Sequence, residues 1–204
     1  KCILKKEKLR LNWLLQKEKN NLIKELLKKI EIGTVIKLDI SENQANYIYL
    51  AIGSNLGNRI LNIEKAKFYL TQNNIKFISV SRYYETPSWP DPSKPKFYNI
   101  VLKTSCKYSP ADLLKICKVI EFKLGRKKGP KNTPRCCDID IIDFNGKIIN
   151  KSLISPHKLM HKRNFVLFPL FEIEKNWVHP VFKKDIKTLI FSLSNKDIRS
   201  IKQI

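Results

Sequence analysis

Two carboxylates stand at alternate positions of an apolar segment, residues 135–142 (RCCDIDII). Successive side chains of a strand point to opposite faces, so Asp138 and Asp140 share one face. Carboxylates about 6–7 Å apart on one rigid strand can hold a pair of hard cations, and without cations they repel each other. The pattern therefore predicts a divalent-metal site, although a strand with two hydrated acids on its solvent face gives the same motif.

Basic side chains crowd the segment that leads into this strand. They are Arg126, Lys127, Lys128, Lys131 and Arg135. Guanidinium and ammonium groups bind phosphate, and beside metal-binding carboxylates they indicate a phosphoryl-transfer site. Each lysine taken alone is equally consistent with a solvated loop.

Another group of residues suits a flat, polar heterocycle. A proline-rich loop, residues 86–95, carries Trp89, and residues 97–99 (FYN) follow it. Aromatic rings can stack on the faces of a heterocycle while an amide reads its edge, although the same rings also fit a plain core. Residues 53–59 (GSNLGNR) match neither a Walker A loop nor a G-x-G-x-x-G motif. Asn55 in this segment either stabilises a turn or points its amide at such a ligand.

Hydrophobic patterning predicts the elements that must position these residues. We expect strands over 47–52, 76–84, 97–104 and 136–144, with helices over 59–70 and 110–124. This β-α-β-β-α-β order is typical of a ferredoxin-like α+β fold, an antiparallel sheet with both helices on one face. Asn145-Gly146 predicts an extra hairpin into residues 147–149, and C-terminal helices follow.

The N-terminal part of the chain has a different pattern. Residues 1–32 read as a lysine-rich amphipathic helix that ends at Gly33. Residues 34–40 alternate as in a strand, and residues 41–46 are polar and read as a linker. We therefore divide the chain into an extension over 1–46, of unassigned role, and a main domain over 47–204.

Composition limits the class of partner. The 204 residues carry a net charge of +22 and are 43% hydrophobic, which predicts a folded domain that binds an anion: nucleic acid, an acidic membrane or a phosphorylated ligand. No apolar stretch approaches the roughly 20 residues that span a bilayer, which argues against a membrane partner. The five cysteines form no C-x-x-C pair, which favours a reduced, cytoplasmic protein without a zinc site.

Together these motifs resemble the 6-hydroxymethyl-7,8-dihydropterin pyrophosphokinase family of folate biosynthesis. The resemblance runs from about Tyr47 to Pro180. It is carried by residues 51–57 (AIGSNLG), 84–87 (YETP), 97–99 (FYN), 134–141 (PRCCDIDI) and 163–170 (RNFVLFPL). The resemblance implies a ferredoxin-like fold and transfer of pyrophosphate from ATP to the pterin hydroxymethyl oxygen, with release of AMP. It also implies ATP as co-substrate and a pair of Mg²⁺ ions.

The same resemblance assigns roles to residues. Asp138 and Asp140 would hold the magnesium pair, and Arg126 and Arg135 would stabilise charge on the transferred group. The implied ATP contacts are Glu121, Arg126, Lys128, Arg135, Ile141, Ser155, His157 and Arg163. The implied pterin contacts are Asn55, Thr86, Pro87, Phe97, Asn99 and Phe165. The sequence offers no strong general base, which agrees with a reaction governed by positioning and electrostatics.

The chain departs from the family pattern in one loop. The usual Trp-Gly-Pro-Arg run reads Asn132-Thr133-Pro134-Arg135, and Lys128 stands where a second arginine is usual. A lysine cannot form the bidentate phosphate contact of an arginine.

Two alternatives to the active enzyme stay open. One is an RNA-binding module of the RRM type, which shares the element order but lacks here the glycine that its third-strand motif needs. The other is an inactive structural relative. The favoured ligands are ATP and hydroxymethyl-dihydropterin, with no nucleic acid. Residues 1–46 would then be a remnant of a fused folate-pathway enzyme or a docking element.

Overall fold

The structure is a computed structural model that describes residues 16–25, 27–28, 46–126 and 133–204. The strands of its main sheet are β1 (Asn46–Ser54), β2 (Lys76–Val80), β3 (Tyr84–Thr86), β4 (Phe97–Cys106), β5 (Asp138–Phe144) and β8 (Lys202–Gln203). The helices are α1 (Arg59–Gln72), α2 (Pro110–Lys123), α3 (Asn164–Ile173), α4 (Ile186–Ser192) and α5 (Asn195–Ser200). Within the described ranges, no helix is both long and apolar enough to cross a bilayer.

The main sheet is antiparallel and runs β5-β1-β4-β3-β8, with β2 beside β4. Strands β2 and β3 occupy the same edge of β4, so the strand predicted over 76–84 is interrupted between Val80 and Tyr84. With α1 after β1 and α2 after β4, this order is the ferredoxin-like arrangement. The predicted fold class is therefore confirmed.

One face of the sheet packs against α1 and α2. In β1, Ile48, Leu50 and Ile52 point to this face and are buried. They belong to the same core cluster as Ile63, Ala66 and Leu70 of α1 and Leu113, Cys117 and Ile120 of α2. Both helices begin at a side-chain cap: Asn58 accepts from the Leu61 N–H and Ser109 from the Asp112 N–H, which satisfies a free amide at each start.

The opposite face is also covered. Its core cluster joins Tyr49 and Val101 of the sheet to apolar residues of α3, α4 and α5. The helical residues 16–25 and 27–28 contribute Ile23 and Leu27 to this cluster. Part of the predicted N-terminal helix is thus packed on the main domain. Residues 1–15 and 29–45, with the predicted strand over 34–40, lie outside the described residues.

The predicted hairpin forms its turn but not its return strand. Asn145 and Gly146 have φ of 54° and 67°, the backbone that a two-residue hairpin turn requires. Strand β6 (Ile149–Asn150), however, pairs with β7 (Ile154–Ser155) in a separate small sheet. Residues 155–157 bond β5 instead, since the Ser155 Oγ accepts from the Phe144 N–H and the His157 N–H donates to the Ile142 carbonyl. Pairing of residues 147–149 with β5 was therefore a wrong expectation.

Candidate active site

Two small residues of β1 form the floor of a cleft in the centre of the sheet. Gly53 lies between Asn99 of β4 and Asp138 of β5, and Ala51 lies opposite Asp140. Cross-strand neighbours share a face, so the sheet places the Asn99 amide and the two carboxylates on either side of these small residues. A ligand can therefore approach the backbone of β1 while its ends contact β4 and β5.

The cleft encloses about 540 Å³ of space, part of which is open solvent at its mouth. Its lining residues come from four strands and the start of α3, with three loop residues. They are Ala51, Gly53, Thr86, Pro87, Trp89, Phe97, Asn99, Arg135, Asp138, Asp140, Arg163 and Phe165. The structure thus brings together most of the residues that the sequence analysis assigned to pterin, phosphate and metal.

One half of the cleft is aromatic with an ordered amide. The Asn99 Nδ2 donates to the Thr86 Oγ1 over 3.1 Å, which fixes the orientation of both side chains. The Arg163 guanidinium carbon lies 5.5 Å from the Phe165 ring centre and 5.6 Å from that of Trp89. Rings around a fixed amide can stack on a flat heterocycle and hydrogen-bond its edge.

The other half of the cleft is charged. Asp138 accepts from Arg126, and its Oδ2 lies 3.1 Å from the Arg135 Nη2. The Asp140 Oδ2 lies 2.9 Å from the Arg163 Nη1 and 3.9 Å from the His157 Nε2. Each carboxylate is therefore paired with guanidinium, which removes the repulsion between the two acids.

A buried carboxylate supports this charged half from beneath. Glu121 is only 1% exposed, and its Oε1 accepts from the Ile139 N–H at 2.8 Å and pairs with the Arg126 Nη1 at 2.7 Å. Glu121 therefore holds Arg126 against the strand that carries Asp138. It does not line the cleft.

Several other predicted site residues also lie away from the cleft surface. The side chains of Ile141 and Ser155 are buried. His157 lies beside Asp140, and burial lowers the pKa of its imidazole, which favours the neutral form. Lys128, with the rest of residues 127–132, lies outside the described residues.

Asn55 has a different place from the one expected of a ligand contact. It is 3% exposed, and its Oδ1 accepts from the Arg135 N–H at 2.8 Å while its Nδ2 donates to the Pro95 carbonyl at 3.1 Å. Its amide is thus bonded to the two loops that lead into β4 and β5. In this structure Asn55 ties the two halves of the cleft together through their backbones.

Ala51 and Gly53 were not expected in the site from the sequence, and Trp89 was expected only as part of a loop that suits a heterocycle, although all three line the cleft. The sequence does contain a pattern that indicates Ala51 and Gly53. Ala51 and Gly53 are small residues at alternate positions of a strand whose other positions are Leu50 and Ile52, and such a pattern leaves space on one face of the sheet. Trp89 stood out as an aromatic residue in a loop, but its direction could not be read from the sequence.

The carboxylate pair fits a hard divalent cation such as Mg²⁺, which prefers oxygen ligands and retains water or phosphate oxygens. In the part of the chain that the structure describes, no group of three or more His, Cys, Asp or Glu residues could hold a metal by itself. Asp138 and Asp140 therefore suit an ion that enters together with a phosphate ligand.

The fold and the cleft define a ferredoxin-like α+β protein in which an aromatic pocket with an ordered amide adjoins paired carboxylates and arginines, side chains of the kind that phosphoryl transfer uses. The family model described as 7,8-dihydro-6-hydroxymethylpterin-pyrophosphokinase (HPPK) matches residues 49–175, more than half of the chain. The chain belongs to this family.

Individual relatives agree with the family match. A pyrophosphokinase of Aquifex aeolicus, named for 2-amino-4-hydroxy-6-hydroxymethyldihydropteridine, is 38% identical over 69% of this chain and 88% of its own length. The folic acid synthesis protein fol1 of Pneumocystis carinii is 38% identical over 78% of this chain, which spans only 22% of that longer protein. A crystal structure of Plasmodium falciparum HPPK-DHPS with pteroate shares the fold, with a TM-score of 0.60 and 17% identity, over 80% of this chain and 48% of that one.

The alternative of an RNA-recognition module is not favoured. Such modules bind RNA on an open sheet face through exposed aromatic residues. Here α1 and α2 cover one face, and α3 with the following helices covers much of the other. Of the aromatic residues of β4, Phe97 lines the cleft and Tyr98 packs on the other face beside Arg59, so they do not form an open platform.

Proposed function

We propose that this chain transfers pyrophosphate from ATP to the hydroxymethyl oxygen of 6-hydroxymethyl-7,8-dihydropterin and releases AMP, as a step of folate biosynthesis. The observation that carries the proposal is the row formed by Asn99, Gly53 and Asp138. This row brings the aromatic half of the cleft, with its amide, next to the carboxylates on one sheet face, which supports binding of a pterin beside a metal-bound phosphate. Family membership and the Aquifex relative, which this chain nearly spans, support the same reaction.

In the proposed pterin pocket, Phe97 and Phe165 stack on the ring faces and the Asn99 amide hydrogen-bonds the polar edge. Thr86 holds that amide in place through the 3.1 Å hydrogen bond. Gly53 adds no side chain, so the hydroxymethyl group can lie close to β1 and next to Asp138. This positioning supplies much of the rate in a reaction that needs no strong base.

On the phosphate side, Arg126, Arg135 and Arg163 supply positive charge for the triphosphate and for the transferred group. Each is paired with a carboxylate in the structure. We propose that Asp138 and Asp140 would hold Mg²⁺ together with ATP, and such an ion would supply charge neutralisation at the phosphate oxygens. The three guanidinium groups would donate hydrogen bonds to the phosphate oxygens.

The test is a nucleotide assay with purified protein. We expect AMP to form from ATP only when hydroxymethyl-dihydropterin and Mg²⁺ are both present. Formation of ADP would contradict the proposed transfer of pyrophosphate, and the absence of nucleotide turnover would favour the inactive relative. Binding of Mn²⁺, followed by electron paramagnetic resonance in the presence of a non-hydrolysable ATP analogue, tests the metal site separately, because Asp138→Asn should weaken it.

Two further points belong to this proposal. We place the protein in the cytoplasm, which is supported by the free thiols of Cys106, Cys117, Cys136 and Cys137. Fractionation of cells that express a tagged chain tests the location. We also propose fusion to or association with another folate-pathway enzyme, as the name HPPK-DHPS of the Plasmodium protein indicates for that relative. Co-purification of a second folate-pathway activity tests the association.

A further inference from the structure

A buried carboxylate of α3 lies behind the cleft and takes no part in the proposed chemistry. Glu172 is 3% exposed. Its Oε2 accepts from the Tyr84 hydroxyl at 2.9 Å and from the Arg82 N–H at 3.1 Å, and its Oε1 lies 3.8 Å from the Arg82 Nε. Burial raises the pKa of the Glu172 carboxyl although these bonds oppose the change. Burial of a carboxylate costs free energy, so a buried carboxylate with specific hydrogen-bond partners is expected to have a structural or functional role.

The partners of Glu172 belong to β3, which forms one wall of the pterin pocket, and to the residues just before it. Tyr84 begins β3 and lies opposite Asn99. Thr86, on the same face of this short strand, accepts from the Asn99 amide and lines the cleft. The opposite wall includes Phe165, at the start of the helix that carries Glu172.

Strand β3 is three residues long and lies between β4 and the two-residue strand β8. Besides the bonds to Glu172, the buried ring of Tyr84 packs in the same core cluster as α3. The bonds from Tyr84 and Arg82 to Glu172 therefore connect the β3 wall to the α3 wall. Loss of the carboxylate would leave the buried Tyr84 hydroxyl and the partly buried Arg82 N–H without this acceptor, which is unfavourable by about 1–3 kcal/mol for the buried hydroxyl.

We propose that Glu172 is a positioning residue for the pterin: it fixes β3 against α3 and so sets the gap between Thr86 and Phe165. The inference rests on the proposed function, because it takes the pterin as the ligand between these walls. Glu172 contacts no substrate, and ATP, on the β5 side of the cleft, does not depend on this gap. Neutral glutamine can accept both hydrogen bonds through its carbonyl oxygen, so shape and hydrogen bonding matter here more than charge.

Glu174 provides a matched control. It ends the same helix, and its carboxylate also accepts from a tyrosine, Tyr49 at 3.2 Å, and pairs with Lys103. These partners do not line the cleft. Glu174→Ala thus removes a similar set of interactions from the same helix without touching β3.

The experiment measures pterin affinity by isothermal titration calorimetry, with a non-hydrolysable ATP analogue present, and the affinity for that analogue alone. We expect Glu172→Ala to weaken pterin binding about tenfold or more, equivalent to about 1.4 kcal/mol, with little change for the analogue. Glu172→Gln should restore most of the pterin affinity. Glu174→Ala should leave both affinities close to those of the unmodified chain.

The inference is overturned if Glu172→Ala and Glu174→Ala change pterin affinity equally, or if Glu172→Gln is as defective as Glu172→Ala. Should Glu172→Ala not fold, Tyr84→Phe decides, because it removes one of the two bonds and keeps the ring. Unchanged pterin affinity in Tyr84→Phe would then refute the positioning role. If the unmodified chain binds no pterin, the proposed function itself fails, which is a distinct result.

Discussion

A methyl group added at Gly53 tests whether the row of Asn99, Gly53 and Asp138 sets the shape of the pterin pocket. A Cβ at this position would lie 2.8 Å from the Asn99 Oδ1 and 3.3 Å from the Phe97 Cδ1. Neither neighbour can move freely, because Asn99 is buried and bonded to Thr86, and Phe97 lines the cleft. We therefore expect Gly53→Ala to displace the amide and the ring together.

The size of the effect follows from this crowding. Overpacking by one methyl group in a packed site typically costs about 1–3 kcal/mol. If most of this free-energy cost weakens pterin binding, the pterin affinity should drop about tenfold to hundredfold, since each 1.4 kcal/mol is a factor of ten. Affinity for a non-hydrolysable ATP analogue should change little, because the clash points toward β4 and away from the phosphate side.

Calorimetric titration of pterin into Gly53→Ala and into a control variant makes the comparison. Gly146→Ala is a suitable control: Gly146 has φ of +67° in an exposed turn, and a Cβ there meets no atom within 4 Å. Its backbone strain should cost about 1–2 kcal/mol of stability without changing either affinity. Pterin affinity preserved in Gly53→Ala, or lost equally with that of the ATP analogue, would refute the reasoning.

Three further predictions concern charge. Asp138→Ala should lower turnover about 10³-fold, since a metal contributes several kcal/mol, while urea unfolding shows a retained fold; near-normal turnover would contradict the metal role. Arg163→Lys should weaken ATP-analogue binding about tenfold in calorimetry, because lysine lacks the planar fork, and equal affinity would count against this contact. Burial, and then neighbouring His161, lowers the pKa of His179 from 6.5 to about 4. Between pH 6.5 and pH 4, His179 is therefore protonated in the unfolded chain but neutral in the folded chain. The free energy of unfolding should drop by about 2 kcal/mol between pH 7 and pH 5. His179→Asn should flatten this loss in urea titrations, and an unchanged slope would show another group to be responsible.

Much of the fold was open to prediction because its signals are local. The apolar run of residues 47–52 marks a buried strand, and the Ser109-Pro110 start marks α2. The shared direction of Asp138 and Asp140 follows from strand geometry alone. The cleft half formed by Thr86, Phe97 and Asn99 could be expected from the motif resemblance.

Other features depend on contacts between distant segments and leave no local pattern. The amide of Asn55 is bonded to Pro95 and Arg135, and nothing near Asn55 in the sequence indicates these partners. Residues 155–157, and not the expected hairpin, form hydrogen bonds with the main chain of β5. Residues 147–149 are nearer to β5 in the sequence, but the fold brings Ser155 and His157 to these main-chain groups. The burial of Glu121 and Glu172 likewise appears only when helices and sheet are assembled.

The helical residues before the sheet affect where this domain can be truncated for expression. Similarity to the family model starts at residue 49, but Ile23 and Leu27 are buried in the same cluster as α3, α4 and α5. A fragment truncated to the residues that match the family model would expose apolar surface next to the wall that carries Phe165 and Glu172. The first residue that matches the family and the first residue that a stable expressed fragment needs are therefore at different positions in this chain.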